Sequence, residues 1–171
     1  KGRDQLVVLA LMSAEAPEHC KKFQELVDKK NWDGERVDEL RRPGTSFRAQ
    51  GAPMMLHFGY TTTRGEEDRT KWRDTNPSTE QVDYEVNNLS HFEGAVSCQM
   101  EKDKSSVDRI WISVTDNPAE DQDTVVFAYV VDGLDLLKQL AQLPLTNQQE
   151  EDAGRGTPTE NIEIESVSKV Q

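Results

Sequence analysis

The residues predict a mostly β chain, a closed antiparallel barrel with two packed helices. Three observations carry this expectation. Five strand-sized segments are either continuously apolar or alternate apolar with polar. Only two segments show helical spacing, and the connections are polar and rich in turn residues. The 171 residues suit a single domain, 1–171, long enough to bury a sizeable core.

The first strand falls in residues 5–12, "QLVVLALM", where no helix cap interrupts a leucine- and valine-rich run. The period then changes. Ser13 or Glu15 with Pro17 marks a helix start, and Cys20, Phe23 and Val27 share a face with Leu26 beside them. His19 is placed on the polar face of this helix. Lys29 and Lys30 suit its C-terminal end, and "NWDG" after it is a turn. Residues 52–82 are the least regular, with a long polar loop expected over 61–81. Strands follow at 94–100 and 108–114, joined by a charged turn, "EKDKSS". In the second, Ile110, Ile112 and Val114 alternate with Arg109, Trp111 and Ser113. "TVVFAYVV" at 124–131 is another buried strand. "DGLDLLKQLAQL" is the second helix, with Leu134, Leu137 and Ala141 on one face and Pro144 beyond its end. Residues 146–160 are loop-like, and "NIEIESVSKV" alternates as a final strand.

A net charge of −12 disfavours nucleic acid and anionic lipid as partners. The longest apolar run, residues 6–12, falls well short of the roughly 18 residues that a membrane span needs. The chain begins at Lys1 with neither an initiator methionine nor an apolar leader. It is therefore expected to be a soluble, trimmed or mature exported form. Cys20 and Cys98 fit no paired motif and are expected to be buried free thiols. No phosphate-loop, dinucleotide, zinc-protease or nucleophile-elbow motif is present. The three histidines are scattered, so neither metal nor cofactor is expected. Acidic groups such as Glu120-Asp121 are expected to be solvated surface.

Five strings nevertheless stand in a familiar order: "APEHCKKFQELV" and "NWDG", then "FRAQG", "LSHFEGAVSCQM", and the long block at 105–140. Together they resemble the cyclophilin family of peptidyl-prolyl cis–trans isomerases over nearly the whole chain. The resemblance implies an eight-stranded antiparallel barrel capped by two α-helices, acting as a monomer on proline-containing peptide or protein segments. The implied reaction is rotation about an X–Pro amide, whose barrier is roughly 20 kcal/mol. An apolar cleft grips the proline ring. A guanidinium donates a hydrogen bond toward the prolyl nitrogen, which stabilises the twisted transition state without nucleophile, metal or cofactor.

The resemblance places Phe47 and Gln50 at peptide-binding positions, with Gln99, Met100, Trp111 and Thr124 lining the remainder. Several of these depart from the family pattern. Arg48 stands for a methionine, Trp111 for a phenylalanine, Thr124 for a histidine, Arg109 for a glutamine and Glu120 for a leucine. The catalytic position depends on register. Counting forward from "WDG" puts Glu39 there, which implies an inactive cyclophilin-fold binding or scaffold module. Counting back from Phe47 puts Arg42 there, which implies an isomerase with a remodelled cleft. Loops absorb insertions more readily than a strand feeding a site, which favours Arg42.

Overall fold

The computed structural model describes residues 5–59 and 76–170, so most of the 61–81 loop lies outside the described residues. Eight strands form one antiparallel sheet: β1 (Val8–Leu11), β2 (Val37–Arg41), β3 (Met55–Phe58), β4 (Gln81–Asp83), β5 (Ala95–Glu101), β6 (Lys104–Ser113), β7 (Val126–Asp132) and β8 (Arg155–Gly156). Their spatial order is β1-β7-β5-β6-β3-β2-β8, and β4 pairs with β6 beside this path. The ten-residue β6 organises the sheet. It pairs with β5 on one edge and shares the other between β3 and β4.

One row of cross-strand partners runs through six strands: Leu11, Ala128, Val96, Ile112, Leu56 and Leu40. Directly opposed residues share a face of a sheet, and all six of these belong to the core or pack against it. Helix α1 (Pro17–Asp28) covers that core. Pro17 occupies its first turn, where a missing N–H costs nothing, and Cys20, Phe23, Leu26 and Val27 are buried as their spacing predicts. The helix ends in a Schellman turn. Lys30 takes φ 55°, while the Asn31 and Lys30 N–H groups donate to the Leu26 and Val27 carbonyls at 2.9 and 3.0 Å. Trp32 of the "NWDG" turn packs edge-on to Phe58 and tilted to Phe23, both at 5.6 Å, and Phe23 meets Phe127 at 5.4 Å. The turn is thus locked to strands on both sides of the core. Both cysteines are buried and free, as expected.

Several expectations need correction. Among the described residues the strand pairing does not close into a barrel: β1 and β8 end the path unpaired with each other. β8 is only two residues long, and Pro158 follows two positions later. Residues 161–170 form no strand. Their alternation is still used, because Ile162, Ile164 and Val167 pack on the core. Their backbone runs beside residues 34–37 through Gly34–Ile164, Val37–Ile162 and Ile164–Glu35 bonds of 2.8–2.9 Å. Besides α1 and α2 (Leu134–Leu140) there is a third helix, α3 (Gln148–Ala153), in the segment read as loop. Asn147 caps it, its side chain accepting from the Glu150 N–H at 2.9 Å. A 3-10 turn, Pro118–Glu120, precedes β7. The "EKDKSS" turn shrinks to Lys102 and Asp103, because Glu101 and Lys104 already pair. His19 is fully buried rather than on a polar face. Its Nδ1 lies 2.6 Å from Glu85 Oε1, and the same carboxylate accepts from the Glu18 and His19 N–H groups. Burial lowers the His19 pKa against the opposing pull of Glu85.

Glu35, just before β2, is buried, and its Oε2 has no hydrogen-bond partner among the described residues. Burial, and after it the charge of Asp38, raises this carboxyl from 4.5 to about 7. Between those values the folded chain holds a proton that the unfolded chain releases, so stability falls as pH rises through this window. Glu35→Gln is expected to leave stability near pH 4.5 unchanged and to raise it at pH 8, by at most about 3 kcal/mol. Urea midpoints of both proteins at the two pH values check this; parallel pH profiles would contradict it.

Candidate active site

The core row determines what faces the other way. Arg41 opposes Met55, and Met55 opposes Ser113. The next row on the same face runs Glu39, His57, Trp111 and Ser97. Side chains from these two rows form one wall of a cleft of about 230 Å³, lined by Arg41, Met55, Ser97, Gln99, Met100 and Trp111. Glu120, Asp123 and Thr124 supply the facing wall from the segment that enters β7.

Trp111 is the floor of this cleft, and its position is fixed on every side. The indole Nε1–H donates to Gln99 Oε1 at 2.9 Å. The His57 ring meets the indole at 4.3 Å and 61°. The Arg41 guanidinium stacks on it with its carbon 4.2 Å from the ring centroid. His57 is itself buried and held through Nδ1 by Asp38 at 2.8 Å. Asp38 sits at a register shift between Val37 and Glu39, which brings its carboxylate to the imidazole.

Arg41 is oriented by a carboxylate. Its Nε–H donates to Glu39 Oε1 at 2.8 Å, and that oxygen also faces Arg155 Nη2 at 3.4 Å. Glu39 is buried, so the charge-assisted bond is shielded from water and holds the guanidinium on the indole. The Nη groups then remain as donors for a molecule in the cleft. Gln99 is equally fixed, since its Nε2–H donates to the Met100 carbonyl at 3.1 Å.

The opposite wall is pinned by His91, which is buried. Its backbone N–H donates to Asp121 Oδ1 at 2.6 Å. The ring Nδ1 lies 2.8 Å from the same oxygen, and Nε2 lies 2.8 Å from Thr124 Oγ1. The Asn117 and Thr124 N–H groups donate to the His91 and Glu120 carbonyls at 2.8 and 3.1 Å. Burial alone would raise the Asp121 carboxyl, but the His91 bonds outweigh it and hold the group below its usual range.

Of the residues singled out from sequence, Gln99, Met100, Trp111 and Thr124 come together here. Phe47 and Gln50 do not line the cleft: they lie exposed on the turn between β2 and β3, with Phe47 at 91% exposure. Arg48 is exposed beside them, and Arg109 is buried in an ion pair with Glu101. Arg42 also points elsewhere. Its Nη1 donates to the Ala141 and Leu143 carbonyls at 3.1 and 2.6 Å, and Nη2 pairs with Glu151 at 2.6 Å. It therefore satisfies the C-terminal carbonyls after α2. Its backbone N–H donates to Gly154, whose φ of 66° and lack of a side chain allow that approach.

Neither count selects the arginine that lines the cleft. Arg41, between Glu39 and Arg42, is the arginine in the cleft. The signal was strand alternation: Leu40 is the only apolar residue between Val37 and Pro43, so its neighbour Arg41 must face away from the core.

A family model described as cyclophilin type peptidyl-prolyl cis-trans isomerase matches residues 2–169. The chain belongs to this family. No curated protein matches it. Among solved structures, it resembles a Cryptosporidium parvum cyclophilin type peptidyl-prolyl cis-trans isomerase crystallised in the presence of the dipeptide Ala-Pro. The identity is 16%, the match covers 94% of this chain and 89% of that one, and the TM-score is 0.65. A second crystal structure of that protein matches with the same identity and TM-score over 94% and 88% of the two chains. At this identity the likeness establishes the cyclophilin fold. Among the described residues no helix is long and apolar enough to cross a membrane, and no cluster of His, Cys, Asp and Glu could hold a metal.

Arg42 belongs to the scaffold of this cyclophilin domain rather than to its cleft. Arg42→Met keeps the aliphatic stem but strands two carbonyls and Glu151. It is expected to cost about 2 kcal/mol in urea unfolding while leaving peptide titrations of the cleft unchanged. A loss of peptide affinity without a loss of stability would contradict this assignment.

Proposed function

We propose that the cleft binds X–Pro segments and accelerates their cis–trans isomerisation, with Arg41 as the catalytic residue. The observation that carries this reading is the guanidinium fixed over Trp111 by Glu39 inside an otherwise semi-apolar cleft. The proline ring packs among Trp111, Met55 and Met100. Arg41 then donates through Nη toward the prolyl nitrogen as the amide leaves planarity. The lone pair released from resonance is a better acceptor in the twisted state than in either ground state, so the bond stabilises the transition state selectively. Gln99 holds the peptide alongside. Phe47 and Gln50, which the resemblance would assign to peptide binding, take no part in this reading.

One specific observation favours a second reading, a proline-binding module without turnover. Arg41 already stacks on the indole and bonds to Glu39, so a substrate competes for a guanidinium that has partners.

Measurement of proline-tetrapeptide isomerisation by NMR exchange separates the two. The wild-type chain is expected to exceed the buffer rate. Arg41→Ala is expected to lower kcat/KM by about 100-fold, the scale for loss of one aimed transition-state donor. Arg41→Lys should not restore it, because an ammonium cannot both stack and fork. Rates equal to buffer, with peptide shifts still at Trp111, would replace the isomerase reading by the binding module.

A further inference from the structure

Beyond proline recognition, the cleft is electrically divided. On the β-sheet side lies the guanidinium of Arg41, bonded to the buried carboxylate of Glu39. On the facing wall stand Glu120 and Asp123, which form no ion pair with any described residue. Neither carboxylate belongs to a mobile tail: both lie in a short segment tied down at His91, Asn117 and Thr124.

The third residue of that wall, Thr124, adds to the same polarity. Asp121 is an acceptor-only carboxylate held below its usual range, first against burial and then by the His91 bonds. Its contact with Nδ1 therefore assigns the proton to that nitrogen. On the far side of the ring, Nε2 and the Thr124 hydroxyl are hydrogen-bonded at 2.8 Å. The Thr124 oxygen is thereby fixed at the cleft, where a lone pair can accept. All three side chains of the wall offer acceptors.

We propose that Glu120, Asp123 and Thr124 are specificity-determining residues that select proline segments carrying a lysine or arginine beside the proline. The peptide lies between the two walls. Its proline packs on Trp111, and its neighbouring cation reaches the carboxylates, which have no other counter-charge among the described residues. An acidic residue at that position meets two like charges. The net charge of −12 adds long-range attraction for such basic segments.

This proposal rests on the cleft being the peptide site, and its test is a binding measurement so that it stands apart from turnover. Three peptides differing only in Lys, Gln or Glu next to proline are titrated at low salt, following Trp111 by NMR. The lysine peptide is expected to bind at least fivefold more tightly than the glutamine peptide, and the glutamate peptide most weakly. The spread should shrink at 0.5 M salt, roughly a Debye length of 4–5 Å. Glu120→Lys/Asp123→Lys should reverse the order, and the milder Glu120→Gln/Asp123→Asn should flatten it. The same order without any isomerisation would uphold this inference and sink the isomerase reading. Affinities within twofold of one another, no binding at all, or an order untouched by either double variant would overturn the inference, even if isomerisation proceeds.

Discussion

The row from Leu11 to Leu40 is the constraint on which the rest of the molecule depends. Six strands contribute one apolar side chain each to a single line through the core. Period-two geometry then leaves no choice about their neighbours: Arg41, Met55, Trp111 and Ser97 must occupy the other face. A slip of one residue in β2 would bury a guanidinium and expose a leucine, which costs several kcal/mol in each direction. The cleft inherits its accuracy from that penalty.

The second layer of control is polar. Three carboxylate pairs stand behind the cleft: Asp38 with His57, Glu39 with Arg41, and Asp121 with His91. Each set connects a cleft residue to a group that water does not reach. Trp111 is positioned by His57, Arg41 by Glu39, and Thr124 by His91. Removing Asp38, Arg41 or Asp121 would take a partner from a buried group, so the outer groups cannot drift independently of the inner ones.

Much of the architecture was legible because it follows from periodicity. The spacing of Cys20, Phe23 and Val27 identified α1, and the alternation of Ile110, Ile112 and Val114 identified β6. What was not legible has physical causes. Arg109, Trp111 and Ser113 look like a solvent-facing set by alternation, yet they are buried under the cleft wall and the Glu101 ion pair. Helix α3 is short and almost wholly polar, and is held by a cap and by Arg42 rather than by an apolar stripe. Residues 161–170 alternate correctly but run beside an irregular stretch, so they supply packing without a ladder. In the cleft, the strings shared with the cyclophilin family located Gln99, Met100, Trp111 and Thr124. Counting from those strings pointed to Glu39 or Arg42, whereas the arginine that lines the cleft is Arg41. The burial of Leu40 is what turns Arg41 toward the cleft.

The clamp formed by His91 bears on the thermodynamics of peptide capture. A surface wall built from a free loop would have to be ordered at the moment of association, at roughly 0.5–1.5 kcal/mol for each side chain immobilised. Here that ordering was completed during folding, when a buried imidazole joined Asp121 to Thr124. The wall is a pre-formed surface, and the entropy lost on association falls mainly on the incoming segment. Flexible proline-containing chains are the partners that such a rigid host accommodates without remodelling itself.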